Sequence, residues 1–177
     1  MSAQPSKVVQ LAPYSQEAEE ALIGSVLVNP EGYYIAEHIT PEHFFLVRHG
    51  YIWEAITRLS DRRDEIDYVS IQDELRAMKR LEDVGGAGYL LNLINSTPTS
   101  VNIGVYAAMV ERTATRRLLL TAADDIKAAA MDENKPLEVV TAEAEARVLK
   151  AIGGGAGKPL VSIGEVAGDV WEQAAER

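Results

Sequence analysis

The sequence predicts an all-α chain with a long antiparallel helical hairpin and a tethered last helix. Three observations predict it. Apolar residues recur three and four positions apart along most of the chain, the period of a helix face. Helix-start signals, a Ser or Thr just ahead of an acidic residue, stand between those stretches. From Val101 to Met131 the chain has no proline and Gly104 as its one glycine. As a helix this run would extend on the order of 45 Å at about 1.5 Å per residue.

The elements follow in order. Residues 1–12 show little periodicity and, with Gln4, Pro5, Ser6 and Lys7, predict a flexible tail. Ser15 is a candidate N-cap whose hydroxyl accepts an orphan amide, and Glu17 and Glu19 suit the positive end of the helix dipole. Ala18, Leu22, Ser25 and Val26 then share one face, and Asn29-Pro30 ends the helix. Thr40-Pro41-Glu42 repeats the start signal, with proline at the first helical position, ahead of a core plug at Phe44-Phe45. A further helix is predicted from about Val47 to Leu59, with Ile52, Ile56 and Leu59 as its apolar stripe. Ser70-Ile71-Gln72-Asp73 reads as a capping box with Asp in place of Glu, and Ile71, Leu75 and Met78 stack behind it. Gly85-Gly86 and Gly88 punctuate, and Tyr89 to Ile94 form a short helix that stops before Pro98.

In the long run, Ile103, Ala107, Val110, Ala114 and Leu118 make one seam, and Leu119, Ala123, Ile126 and Ala130 make another. Asn134-Lys135-Pro136 is a turn, followed by a helix with Val140, Ala144, Val148 and Ile152 on one side. Two long helices joined by so short a turn pack antiparallel. Their repeated alanines allow close approach but bury little area, at about 25 cal/mol per Å², so the hairpin calls for a partner surface or for its own globular domain. Residues 153–159, Gly-Gly-Gly-Ala-Gly-Lys-Pro, are a linker by composition. Beyond it, Ser162-Ile163-Gly164-Glu165 opens a last helix over 160–177, with Val166, Val170 and Ala174 in line and Trp171 beside them. That stripe has no obvious cover in the chain and suits another subunit or a further domain.

Composition narrows the function. The 177 residues suit one domain with an appendage, or two small ones, and an apolar fraction of 47% supplies a core. With no cysteine, disulfide staples and thiolate metal sites are excluded. The absence of any long apolar run predicts a cytoplasmic protein with no membrane partner. A formal net charge of −10 argues against strong direct DNA binding, which depends on neutralising phosphates. Any role near DNA is therefore expected to run through protein partners or through a local basic stripe.

Candidate sites are few. The glycine-rich linker is not a phosphate loop, because Gly157-Lys158 is followed by Pro159 where a Ser or Thr must reach magnesium. His38, His43 and His49 lie near Glu37 and Glu42, yet none share the i, i+4 spacing that presents two metal ligands on one helix face. They read as packed or solvated histidines, and Tyr51 and Trp53 as core aromatics rather than base-stacking platforms. Arg112, Arg116 and Arg117 form the clearest basic cluster, offset by Glu111, Asp124 and Asp125. It is a solvated helix face or an interface, not a catalytic site. No catalytic machinery, cofactor-binding or metal-binding residue is expected in this chain.

The run Pro13-Tyr14-Ser15-Gln16-Glu17-Ala18-Glu19-Glu20-Ala21-Leu22-Ile23-Gly24 resembles the opening of the bacterial replicative helicases, the DnaB family. His49-Gly50-Tyr51-Ile52-Trp53-Glu54-Ala55-Ile56 is similar to the family's His-Arg-x-Ile-Phe-x-Ala-Ile segment, with Gly50 and Trp53 as departures. Ile66-Asp67-Tyr68-Val69-Ser70-Ile71, then Gly85-Gly86 with Tyr89-Leu90, then Asn102-Ile103 with Tyr106-Ala107, Val110 and Arg117, follow in matching order over residues 13–150.

The resemblance implies an all-α N-terminal domain. A globular helical head would span 13–100, the hairpin 101–152, the linker 153–159 and a linker helix 160–177, with the motor domain absent. It implies assembly as a trimer of dimers, a collar on a hexameric ring, and docking of the primase C-terminal domain on the hairpin. A helicase loader is a further candidate partner. ATP and magnesium would belong to the absent motor. Leu120 and Ile126 match family positions associated with primase interaction and, with Arg116 and Arg117, are the partner-binding candidates. Val166, Val170 and Trp171 are the candidates for docking the linker helix on a neighbouring motor. The competing reading is a stand-alone acidic helical adaptor or regulator that binds a protein partner through its hairpin. A helical enzyme using the His and Glu residues is disfavoured.

Overall fold

The computed structural model describes residues 12–97 and 102–153. Residues 1–11 of the tail predicted over 1–12, residues 154–159 of the glycine-rich linker predicted over 153–159, and the last helix, with Val166, Val170 and Trp171, lie outside the described residues; Gly153 instead closes the final described helix.

Among the described residues the fold is wholly helical. It comprises α1 (Gln16–Val28), two 3₁₀ turns (Pro30–Ile35 and Pro41–His43), α2 (Val47–Arg62), α3 (Tyr68–Ala77), α4 (Gly86–Ser96), α5 (Ile103–Met131) and α6 (Leu137–Gly153). Helix α1 is the hub, packing against α2, α4, α5 and the first 3₁₀ turn. This requires more than one apolar face: Ala18, Leu22, Ile23, Val26 and Leu27 are all buried, together with Gly24, Ser25 and Glu19. Gly24 is where α4 crosses, since a Cβ there would stand 2.5 Å from the Leu93 carbonyl oxygen.

Several local signals act as predicted. The Ser15 hydroxyl accepts from the Ala18 amide at 3.2 Å. Thr40 starts the second 3₁₀ turn, and its amide donates to His43 Nδ1 at 2.9 Å, closing a capping box. Trp53 is fully buried and its indole N–H donates to the Ile39 carbonyl at 2.7 Å, so its polar atom is satisfied in the core. Phe44 and Tyr33 pack on it with ring centroids 5.4 and 5.7 Å away.

One predicted cap is displaced. Asp67, not Ser70, caps α3: its Oδ1 accepts from the Ser70 amide at 2.7 Å and the Ser70 hydroxyl at 2.9 Å. Ser70 therefore lies inside the first turn, its hydroxyl engaged with the true cap. Helix α4 likewise begins at Gly86 rather than Tyr89, after Gly85 takes φ +100° to turn the chain.

The main departure from the local reading is Glu19. Set on the buried side of α1, it is 1% exposed. One oxygen accepts from the Phe45 amide at 2.7 Å, and the other from the Leu46 amide at 3.3 Å and from His49 Nδ1 at 2.7 Å. Leu46 is the N-cap of α2 and has no capping side chain of its own. Glu19 thus caps α2 across the core, where free amides and the helix dipole favour a negative charge. His49 is fully buried and its Nε2 lies 2.6 Å from the Tyr89 hydroxyl, which brings α4 into the same network. Burial, reinforced by Glu20, pushes the Tyr89 phenol up to about 12, so it remains a proton donor at neutral pH.

In the hairpin, the first seam governs the packing. Ile103, Ala107, Val110 and Ala114 are buried against the head, but the seam's last member, Leu118, is exposed, and the buried face shifts round the helix to Ala122 and Ala129 where α6 packs. The second seam is corrected: Leu119, Ala123 and Ala130 are exposed. Two helices side by side cover only one stripe of each, and the other stripe stays open. On α6 the same limit leaves Val148 and Ile152 exposed while Ala151 is buried. Flanking ion pairs, Arg147 with Asp125 at 3.0 Å and Lys135 with Glu143 at 3.1 Å, are partly solvated. Each contributes about 1 kcal/mol or less.

Two outcomes follow. Glu19→Ala should lower stability by about 3 kcal/mol in urea unfolding, with Glu19→Gln intermediate because it keeps an acceptor. A loss below about 0.5 kcal/mol would show that the carboxylate does not hold α2. The Ser70 amide, then the Ser70 hydroxyl, hold the Asp67 carboxyl below its ordinary value. Because the folded-state pKa lies below the unfolded one, this stabilisation is present above the ordinary carboxylate range and is lost as pH falls through the folded value. Asp67→Ala should therefore cost about 1 kcal/mol at neutral pH and progressively less in acid. A difference from the parent chain that does not shrink on acidification would contradict the capping role.

Candidate protein interaction surface

Where α5 leaves the head, Arg117 ties it down. Its Nη1 donates to the Pro13 carbonyl at 2.8 Å and its Nη2 to the His43 carbonyl at 2.7 Å. The guanidinium carbon lies 5.6 Å from the Phe45 ring centroid, and that ring stacks on Tyr14 at 4.4 Å. Burial lowers the Arg117 pKa from its ordinary high value, and the nearby Glu19 charge opposes the shift. The planar fork lets one side chain serve two carbonyls from separate segments. The basic cluster is thereby split: Arg112 and Arg116 are exposed, while Arg117 is half-buried and engaged with the head.

Past this joint the hairpin presents large apolar side chains to solvent. On α5 Leu118, Leu119 and Leu120 follow one another, with Leu120 54% exposed. At about 100° per residue, three consecutive leucines wrap more than half the helix, so α6 cannot cover them all. Leu149 and Ile152 are exposed on α6, and Met131 and Leu137 at the tip. Scattered exposed leucines are ordinary. A dense set on a two-helix layer marks a candidate interaction surface.

The two apolar partner-binding candidates do not share a face. Leu120 lies about 160° around α5 from Ala122, so it sits on the back of the hairpin. Ile126 falls between the buried Ala122 and Ala129 and is itself half-buried. Between the helices, Leu118, Ala122 and Ala151 floor a cleft of about 330 Å³, with Asp125, Arg147 and Lys150 at its edge.

Glu19, His49 and the partly buried Tyr89 have the residue types of an acid–base site, yet Glu19 and His49 are closed to solvent. Their arrangement is structural. The signal that marks Glu19 in the sequence is a carboxylate set within the apolar face of α1, between Ala18 and Leu22. Among the described residues, no cluster of His, Asp and Glu could hold a metal ion, and no helix is long and apolar enough to cross a membrane.

Comparison with known proteins places this architecture. Residues 11–112 match the family model of the DnaB-like helicase N-terminal domain. The chain is 32% identical over 142 residues to the replicative DNA helicase DnaB of Geobacillus stearothermophilus, covering 80% of this chain and 31% of that protein. The crystal structure of the N-terminal domain of DnaB helicase from Mycobacterium tuberculosis superposes with a TM-score of 0.74 at 28% identity, over 79% of this chain and 99% of that one. A DnaB-like replicative helicase, whose structure was described together with its interactions with primase, gives a TM-score of 0.67 at 26% identity, over 92% of this chain and 36% of that one. The chain thus spans about a third of the length of the curated relatives it matches.

Arg117→Ala should lower stability by about 2 kcal/mol, because two partly buried carbonyls lose a charged donor. Arg116→Ala should change it by less than about 0.5 kcal/mol. Thermal or urea unfolding of the two variants separates the joint from a generic basic surface, and equal effects would contradict it.

Proposed function

Because the chain belongs to the DnaB-like helicase N-terminal domain family, we propose that it is the collar of a hexameric, ATP-dependent replicative DNA helicase. In this reading it hydrolyses nothing itself. ATP and magnesium serve a motor in the parent protein, and Val166, Val170 and Trp171 dock the linker helix on a neighbouring motor. The collar assembles the ring through copies of itself, as a trimer of dimers, and receives the C-terminal domain of primase. A helicase loader is a further partner of the assembled ring.

One observation carries the reading: the exposed apolar stripes on both helices of the hairpin, beside a head whose core is closed. A hairpin this rich in alanine gains little from its own packing, and a partner supplies the missing burial. The solved helicase described with primase, which matches most of this chain, supports primase as one such partner. The net charge of −10 favours protein surfaces over DNA.

Calorimetric titration of the 177-residue chain with the primase C-terminal domain from the same cell tests the platform. Leu120→Asp, on the back of α5, should weaken binding about tenfold, or about 1.4 kcal/mol, without lowering the melting temperature. Ile126→Asn should lower both, since it also opens the hairpin seam. No saturable binding at high concentration, or unchanged affinity for Leu120→Asp, would remove the primase platform and leave ring assembly as the collar's task.

A further inference from the structure

The back of α5 differs in charge from the rest of the chain. At about 100° per residue, Arg112, Arg116, Leu119, Leu120, Ala123 and Lys127 share one sector about 100° wide, and all six are exposed. Ile103, Ala107, Val110 and Ala114, which meet the head, and Ala122 and Ala129, where α6 packs, lie about 160° and 120° from its centre. The sector is therefore covered by neither the head nor α6. We propose that it is the contact for an acidic amphipathic helix, supplied by the C-terminal domain of primase. The inference rests on the reading of the hairpin as a primase platform and names the chemistry of the contact.

Charge is the first reason. Among the described residues, Arg112, Arg116 and Lys127 form no ion pair and no side-chain hydrogen bond, whereas Lys135 and Arg147 of the same hairpin are paired with Glu143 and Asp125. The acids of α5, Glu111, Asp124 and Asp125, all lie about 40° or more outside the sector. Glu111 faces His38 at 3.9 Å, and Asp125 is held by Arg147 at 3.0 Å. In a chain of net charge −10, this sector offers cations with no carboxylate among them. An acidic partner, repelled by the chain as a whole, is attracted there and oriented by it. The order of residues is the second reason. Along the axis come two arginines, two leucines, an alanine and a lysine, over about 22 Å. Leu119 and Leu120 are 38% and 54% exposed, and Ala123 beside them lets a second backbone approach closely. A helix of about four turns, apolar at its middle and carrying carboxylates toward both ends, matches that order.

Calorimetric titration of the 177-residue chain with the primase C-terminal domain from the same cell measures the contact. Arg112→Glu with Arg116→Glu should weaken binding about tenfold. The control is Arg63→Glu with Lys79→Glu, two exposed positions on the head, which changes the net charge equally and should leave affinity within about twofold. Melting temperatures verify folding, and Lys127→Glu replaces the arginine pair if that pair melts early. Equal weakening by the two pairs would overturn the inference, since overall charge alone would then explain both. Saturable binding that the arginine pair leaves unchanged would overturn it too, with the platform still standing. If sedimentation then showed that the arginine pair dissociates a dimer of the chain, the sector would belong to a second copy. No saturable binding by the parent chain would remove the platform and the inference together.

Discussion

Glu19 belongs to α1, yet the helix whose start it completes is α2. Its carboxylate takes the Phe45 and Leu46 amides and the His49 imidazole in one buried contact. The consequence travels outward. Fixing Phe45 sets the ring on which Tyr14 stacks and over which Arg117 lies. Arg117 in turn binds the Pro13 and His43 carbonyls and sets α5 against the head. A carboxylate in the core and a guanidinium at its edge thus connect the hub to the hairpin. Neither forms a direct ion pair with the other. Each is satisfied by backbone groups, so removing either leaves buried polar atoms without partners.

Head and hairpin are stabilised differently. The head closes around Trp53, Ile52, Ile56, Leu22 and Ile23, all fully buried, and large side chains carry most of its hydrophobic stabilisation. The hairpin meets along alanines, with partly solvated ion pairs at its flank. Such a layer is held most firmly near Arg117, while the tip, with Met131 and Leu137 each 73% exposed, has little of its own to bury. In the proposed collar role, the closed head would orient a hairpin whose burial a partner completes.

Much of the fold was legible in the sequence. Ser15 and Thr40 as caps, the apolar stripe of α2, the break at Gly85-Gly86 and the turn before α6 all depend on residues within a few positions of one another. The displaced cap at Asp67 is a near miss of the same kind, in which two adjacent polar residues compete for one role. The surface was legible only in part. Apolar periodicity located the part of α5 that meets the head, but Ala122 and Ala129, which are buried where α6 packs, belong to neither predicted seam, because that face depends on how the hairpin rolls; Leu120 and Ile126 accordingly lie on different faces.

What the sequence determined by itself is the helical class, the order of helices and turns, the leaning toward protein partners and, through its motifs, the resemblance to the helicase family. These rest on spacing, turn chemistry and charge, which are local or additive along the chain. Only the tertiary structure decided what each polar side chain meets. Glu19 finds the start of α2 from 26 or more residues away, and Arg117 reaches Pro13 across 104. Such pairings arise because buried donors and acceptors must all be satisfied in three dimensions, a condition that no periodicity in one dimension encodes.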